Sequence, residues 1–595
     1  MRTRLHGILK AMQLARQAFG PYKPHIILLS FLSFISGALE GIGVNAVIPL
    51  LAIVTGAASG GNDSVSKAIE QFFIFLHIDF SVKSILIFIA ILFVFKTLVV
   101  LAINYVKIHI TSRYEQEIRS SLFQKMLMAQ WGYLLKQKLG HLETVLMTNV
   151  RFGSELLGQI SEVIITGMGL LIYSVIAINI STNITLVALS IGVILLLILK
   201  PILNRTRQAA LETSQTNKRA AHFINENMVG MKTIKTTNSS ETITYQGVKI
   251  FELFRKLRIR TMILKSVGGS LFQPISIVFV CVVFGISYKL PDFSFITFVA
   301  VVYLIQRIFS YTQQLQGNLQ HMTESVPYLR NILEYEKEAN INVEQRTGAK
   351  EFVFNNDLVF NRVGFAYDSS AQVLKDVSFR IPKGTFYGIV GSSGSGKTTL
   401  VDLLLRLFSP TTGSILLDGI SSQGIDIGSW RGNIGYVSQD MFLINDTIAN
   451  NIRFYGEFIS DKEVIEAAKM AYCFDFINAL PNGFETLVGE RGVRLSAGQR
   501  QRIVIARALV RKPKFLILDE ATSALDNESE SQIQHVIESL KHKMTVLVIA
   551  HRLSTIMNSD MVIVLDNSEI VEKGDPKRLL DDSSSIFCKL YNAGK

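Results

Sequence analysis

Residues 385–399 read TFYGIVGSSGSGKTT. The first part, TFYGIV, is a short apolar run of the kind that forms a buried strand. A glycine-rich loop follows, and a helical pattern opens near Lys397. Strand, loop and helix in that order give the G-x-x-x-x-G-K-[ST] pattern the setting it requires. Gly391, Gly394 and Gly396, with Ser392, Ser393 and Ser395 between them, let backbone amides turn inward around phosphates. The helix N-terminus adds a partial positive charge. Lys397 is placed to reach β- and γ-phosphates. Thr398, followed by Thr399, offers a hydroxyl to Mg²⁺, a hard ion that takes oxygen ligands.

Outward from this loop, short apolar strands alternate with helical patterns from about residue 355 onward, which predicts an α/β domain over 355–595. KFLILDE (514–520) is a second buried strand with acids at its C-terminal end. Asp519 suits a Mg²⁺ shell, and Glu520 sits where it can orient an attacking water. A third strand-like run, MTVLVIAHRL, carries His551 at its end, within reach of a γ-phosphate. GVRLSAGQRQRIVIARAL (492–509) is a second phosphate-directed helix start, with donors at Ser496 and the amides beside it. One nucleotide does not need two complete helix ends from one domain. The economical reading gives the second end to a nucleotide bound by another copy.

The N-terminal half has a different character. The chain is 49% apolar and only 18% charged, with a net charge of +12, and the apolar residues crowd before residue 330. Uncharged runs at 163–180 and 181–199 are long enough to cross the hydrocarbon core. Further spans are predicted at 26–53, 84–106, 267–288 and 293–310, two of them carrying an internal charge, Glu40 and Lys96. Basic residues gather before the first span and in the two long even-numbered loops, whereas the opposite loops hold few. The positive-inside rule then places both termini in the cytoplasm. It also accounts for much of the basic balance without nucleic acid. Residues 1–24 read as an interfacial amphipathic helix, and an apolar run that starts late and is long enough to span argues against a cleaved leader. The long basic loops keep helical periodicity, so the membrane helices are expected to continue as cytoplasmic hairpins. Residues 331–354 are polar and read as a linker after a membrane domain of 1–330. The cysteines, Cys281, Cys473 and Cys588, fit no metal spacing and no disulfide framework.

Taken together, these residues resemble the ATP-binding cassette (ABC) family, and the chain is similar along essentially its full length to an exporter-type half-transporter. Tyr367 in VGFAY matches the aromatic that stacks on adenine. Gly391 to Thr398 match the Walker A loop, and Gln439 in GYVSQD the glutamine that reaches Mg²⁺ and the attacking water. Glu490 in VGERG matches an exporter element that contacts the membrane-domain hairpins. Leu495, Ser496, Ala497, Gly498 and Gln499 match the family signature, with alanine where the family usually has glycine. Asp519 and Glu520 match Walker B and the catalytic base, Ser523, Ala524, Leu525 and Asp526 the D-loop, and His551 the switch histidine. The resemblance implies ATP and Mg²⁺ as ligands. It implies a second half-transporter chain as partner, the same chain in a homodimer or a different one in a heterodimer. ATP hydrolysis would then drive alternating access in a cell inner membrane.

The substrate is less legible. Glu40 lies in the first span and Arg307, of opposite sign, in the sixth. An ionised group in a membrane helix is costly unless it is paired or faces water. Both are candidates to line the substrate cavity and meet a headgroup; a structural ion pair is the alternative. The first span, with Glu40, Gly43 and Pro49, resembles half-transporters that flip lipids or lipid-linked oligosaccharides. A lipid, lipid-linked glycan or other amphiphile is therefore the expected cargo, with a multidrug or peptide exporter as the alternative and an ATP-gated channel or regulator as the rival class.

Overall fold

In the computed structural model of the protein, the described residues are 18–47, 49–50, 53, 64–75, 77–137, 139–288, 295–367, 372–521, 527–550 and 552–593. The chain forms two units, one within residues 1–129 and 133–343, the other within 130–132 and 344–595.

The first unit is helical. It comprises α1 (Lys23–Asn45), α2 (Ser64–Phe75), α3 (Val82–Leu127), α4 (Val150–Ile180), α5 (Thr182–Ile198), α6 (Lys200–Val229), α7 (Ser240–Ser270), α8 (Phe272–Ser287) and α9 (Phe295–Ile341), with short turns of helix between some of them. α1 opens with Pro24 in its first turn, where a missing N–H costs nothing. A 3₁₀ turn at Gly20–Tyr22 precedes it. Of the interfacial helix expected over 1–24, residues 1–17 lie outside the described residues.

The uncharged runs 163–180 and 181–199 become the end of α4 and the whole of α5, parted at Ser181, whose extended backbone (φ −152°) breaks the helix. Among the described residues, Gly20–Asn45, Val82–Leu127, His141–Ile180, Thr182–Val229 and Ser240–Ser287 are long and apolar enough to cross a membrane. The span expected at 293–310 begins just outside the described residues and continues as the first turns of α9. α3 has 46 residues. At 1.5 Å per residue it is about 69 Å long, more than twice the hydrocarbon thickness. The helical periodicity of the long basic loops thus corresponds to real helix.

One boundary differs from the sequence reading. The polar stretch read as linker from residue 331 is still helix as far as Ile341. Leu329, Ile332, Tyr335 and Ala339 recur at helical spacing and are buried; the last three pack with Leu122, Leu142, Val145 and Val150, and Leu329 with Leu156 and Leu157. The charged residues between them are good helix formers on the exposed side. Polarity there marks a solvated face, and the helix ends later.

Close helix contacts in this unit depend on small residues. A Cβ on Gly37 would meet Ile172 Cδ1 at 2.4 Å, and one on Gly41 would meet Ile176 Cδ1 at 2.5 Å. The spacing of four puts both glycines on the face of α1 that touches α4, as in other membrane helix pairs. Large apolar side chains such as Ile27, Phe31, Leu86, Val94 and Leu101 point outward, a surface that only lipid or another apolar partner covers well.

The second unit is α/β. A six-stranded sheet has the order β10-β9-β3-β8-β7-β6, built from β3 (Phe386–Gly391), β6 (Ile434–Val437), β7 (Phe515–Asp519), β8 (Thr545–Ile549), β9 (Met561–Asp566) and β10 (Glu569–Gly574). All pairs but β9–β10 are parallel. A smaller antiparallel sheet joins β1 (Asp357–Phe365), β2 (Leu374–Pro382), β4 (Thr412–Leu417) and β5 (Ile420–Ser421) in the order β2-β1-β4-β5. β7 and β8 are buried at every residue, as continuous apolar runs in a parallel sheet should be. In such a sheet the binding crevice lies beyond the C-terminal strand ends, and β3 and β7 deliver their loops there.

Candidate functional site

β3 runs directly into the loop 391–396, and α10 (Lys397–Leu404) starts behind it. The loop tolerates only glycine at two of its corners. A Cβ on Gly391 would fall 2.0 Å from the Leu565 carbonyl oxygen. Gly396, the N-cap of α10, has φ +104°, and its Cβ would meet the Val373 carbonyl at 2.9 Å. Ser392 donates its hydroxyl to Asp566 at 2.8 Å, whereas the hydroxyl of Ser395 is buried and makes no hydrogen bond among the described residues. Ser393 and Gly394 are exposed. Lys397 Nζ donates to the carbonyls of Gly391 and Ser392, both at 2.9 Å, which folds the ammonium over the loop. Burial lowers its pKa, against the pull of Glu520 and Asp519. Thr398 is exposed at the helix start, and Thr399 is buried behind it.

The acids expected at the end of the second strand stand beside this loop. Asp519 closes β7 and is buried. Its pKa rises to about 6, chiefly through burial and then through the charge of Glu520. Tyr436 donates to Asp519 Oδ2 at 3.3 Å. Asp402, on α10, is likewise pushed up to about 6 by burial and by Asp519. Glu520 has φ +49°, a left-handed backbone that a glutamate rarely adopts. Its amide donates to Ile549 O at 3.0 Å, which ties the strained residue to β8. Gln439 Nε2 donates to Glu520 Oε2 at 2.8 Å. Lysine, two aspartates, a glutamate and a glutamine thus gather at one sheet edge. Asp402 and Tyr436 were not anticipated from the motifs. Their only signal is proximity in sequence, Asp402 one turn after the threonines and Tyr436 three residues before Gln439.

Tyr367 turns its hydroxyl to Thr399 Oγ1, 3.0 Å away, and packs edgewise on Phe365 and Phe408 with ring centroids 4.8 and 5.3 Å apart. The aromatic therefore stands against the phosphate-loop helix. Ser496 caps α11 (Ala497–Leu509). Its hydroxyl accepts from the Gln499 amide at 3.2 Å, and Gln499 Oε1 accepts from the Ser496 amide at 3.0 Å, a reciprocal capping box. Ala497 is the first helical residue, so its methyl group meets no backbone strain there. Leu495 and Gly498 are buried, and Leu495 belongs to the hydrophobic core. Glu490 is exposed and accepts from Asn445 Nδ2 at 3.0 Å. His551 and the stretch Ser523, Ala524, Leu525, Asp526 lie outside the described residues.

In the helical unit, Glu40 is almost fully buried and pairs with two bases, Lys96 of α3 and Arg307 of α9, each at 3.0 Å. The sequence suggested Arg307 as a counter-ion; Lys96 joins it. Residues 40, 96 and 307 come together because α1 packs on α3 and α4, and α4 on α9.

Comparisons with known proteins agree with this geometry. Residues 26–325 match the family described as ABC transporter transmembrane region, and residues 374–523 match the ABC transporter domain. The heterocyst differentiation ATP-binding protein HepA of Nostoc sp. is 30% identical over 94% of this chain and 92% of its own length. An ATP-dependent lipid A-core flippase of Albidiferax ferrireducens is 32% identical over 82% of this chain and 85% of its own. The solved structure of a bacterial Atm1-family ABC exporter with ATP bound shares the fold, with a TM-score of 0.79 at 22% identity over 96% of this chain and 99% of that one. A helical transmembrane region of several apolar helices is here fused to an α/β domain that binds and hydrolyses ATP, and the chain belongs to the ABC transporter family, as a half-transporter.

Proposed function

We propose that the chain works in pairs as an ATP-driven flippase for a lipid, a lipid-linked glycan or a similar amphiphile. It sits in the cytoplasmic membrane with both termini inside. Each ATP lies between the glycine-rich loop of one copy and the Ser496 helix end of the other, so a homodimer has two competent sites. The observation that carries the amphiphile reading is the Glu40 cluster, a polar focus where α9 meets α1 and α3, the last two apolar enough to cross a membrane. Similarity over about four fifths of the chain to relatives named lipid A-core flippases supports the same cargo class.

The residues at the sheet edge fit Mg²⁺. Burial raises the pKa of both Asp519 and Asp402, with Glu520 adding to the first and Asp519 to the second, an excess of oxygen donors that a hard cation relieves. Thr398, Asp519 and Gln439 would hold the ion, which when bound neutralises phosphate charge. Lys397 exchanges its loop carbonyls for the β- and γ-phosphates. Glu520, held by Gln439, orients and activates the attacking water. The family motifs assign His551 to the γ-phosphate, Ser523–Asp526 to the partner copy, Tyr367 to the base and Glu490 to coupling.

A pH dependence follows. Both aspartates titrate near 6, above the usual aspartate value of 3.8. The folded domain therefore holds more protons than the unfolded chain between those values. Its nucleotide-free stability falls as pH rises through that window. Ion binding has the opposite sign, because it needs the carboxylates ionised. Mg²⁺–nucleotide affinity is expected to be flat above about pH 7 and to fall on the order of tenfold per pH unit below about pH 6. Titration calorimetry from pH 5 to pH 8 checks this; a flat profile would remove Asp519 from the ion's shell.

The function itself is tested in proteoliposomes holding the full chain and a fluorescent lipid. ATP-dependent transfer of lipid between leaflets is expected. Conductance that follows ATP binding without turnover would replace the flippase by a gated channel.

A further inference from the structure

The six predicted spans contain one acid, Glu40, and two bases, Lys96 and Arg307. All three meet. Glu40 is 4% exposed, with Oε2 3.0 Å from Lys96 Nζ and Oε1 3.0 Å from Arg307 Nη2. Tyr311 also donates to Oε2, at 3.3 Å. One carboxylate therefore answers two cations, and the cluster keeps a formal charge of +1 within membrane-crossing helices. An unbalanced charge in that setting is costly and marks a working site.

The two cations are more accessible than the acid they share. The side chains of Lys96 and Arg307 are 22% and 38% exposed. Arg307 is also oriented: Nε donates to the Tyr303 hydroxyl at 2.7 Å, and the guanidinium lies 5.3 Å from the Tyr303 ring and 5.9 Å from that of Tyr173. A guanidinium fixed in this way presents its remaining donors in a planar fork, the geometry that suits a carboxylate or phosphate. Along α9, Gln306, Ser310 and Gln314 follow at spacings of four, the first and last exposed, with Gln314 donating to Ser310 at 3.3 Å. A polar stripe thus runs past Arg307 on the helix that carries the sixth span expected from the sequence.

We propose that Lys96 and Arg307 form a headgroup site for an anionic amphiphile, whose phosphate or carboxylate supplies the second negative charge and shares the two cations with Glu40. This rests on the reading that the chain moves a membrane amphiphile, and it narrows the cargo to acidic ones. Glu40 acts as an internal competitor: it compensates part of the charge between occupancies and yields part of its hold when the headgroup arrives. Removing the acid and removing a base must then shift binding in opposite directions. An ion cluster that serves only packing makes both changes act alike.

The test uses the full chain in neutral detergent micelles, with ATPase stimulation titrated by phosphatidylglycerol, phosphatidylcholine or inorganic phosphate. Glu40→Gln is expected to lower the half-saturating phosphatidylglycerol concentration about threefold or more. Arg307→Gln is expected to raise it about tenfold, the loss of one charge-assisted contact. Arg307→Lys should keep the preference for the acidic lipid, and Lys96→Gln gives a second reading should Arg307→Gln fail to fold. Two variants that shift in the same direction, or equal responses to the acidic and the neutral lipid, would overturn the headgroup site while leaving amphiphile transport standing. Stimulation by inorganic phosphate at the lipid's own concentration would identify a free anion as the ligand and overturn the proposal. Absence of any lipid response, with ATP turnover intact, would sink the underlying amphiphile reading as well.

Discussion

Glu520→Gln is expected to lower steady ATP turnover by about a hundredfold or more, the scale a positioned general base contributes. Glutamine keeps the shape and can still bond the Gln439 amide, which now sits 2.8 Å from the carboxylate. It loses the group that takes the proton. Nucleotide binding should survive, because the glycine loop, Lys397 and Asp519 are untouched. The variant should accumulate as an ATP-held pair of chains, visible by size-exclusion chromatography or cross-linking with ATP and Mg²⁺. The backbone at this position also matters: at φ +49° the residue is strained and tied to β8 through its amide. Turnover that persisted in the glutamine variant would move the base elsewhere. Failure to trap paired chains would sink the shared-pocket arrangement.

Lys397→Ala should fail one step earlier. The ammonium makes two hydrogen bonds of 2.9 Å to loop carbonyls, and burial already disfavours its charge. Phosphate oxygens are stronger partners for it than carbonyls. Hydrogen bonds to charged groups are worth roughly 1.5–3 kcal/mol, so losing them should weaken nucleotide binding by about tenfold to a hundredfold. Calorimetry on the full chain measures this directly. The two variants separate cleanly: the glutamine form binds without turnover, and the alanine form loses binding itself. An alanine variant that bound ATP as tightly as the parent would take Lys397 out of the phosphate site.

The glycine-rich turn was legible because its residues come from one short segment. Gly391 to Thr399 must turn within nine residues, and glycine at fixed offsets is the mark such a turn leaves. The same holds for Ser496, whose capping box with Gln499 spans four residues. Membrane spans were legible for a similar reason, since a run free of charge has to cover the hydrocarbon by itself. Helix end points were less so: α9 continues past residue 331 because its buried face, and not its overall polarity, sets the end.

What the amino-acid order determined, then, is the chemistry carried by contiguous residues: a glycine turn, acids closing an apolar strand, a capped helix, uncharged spans. Tertiary structure alone decided which distant side chains share a charge. It placed Asp402 beside Asp519, set the Glu520 backbone in a left-handed turn, and gave Glu40 two cations from α3 and α9 instead of the single one its sign suggested. The physical reason is range. Backbone turns and hydrophobic spans are satisfied within a few residues, whereas an ion pair needs charged side-chain atoms from separate helices within about 3 Å, and helix packing such as that of Gly37 and Gly41 against α4 decides which side chains come that close.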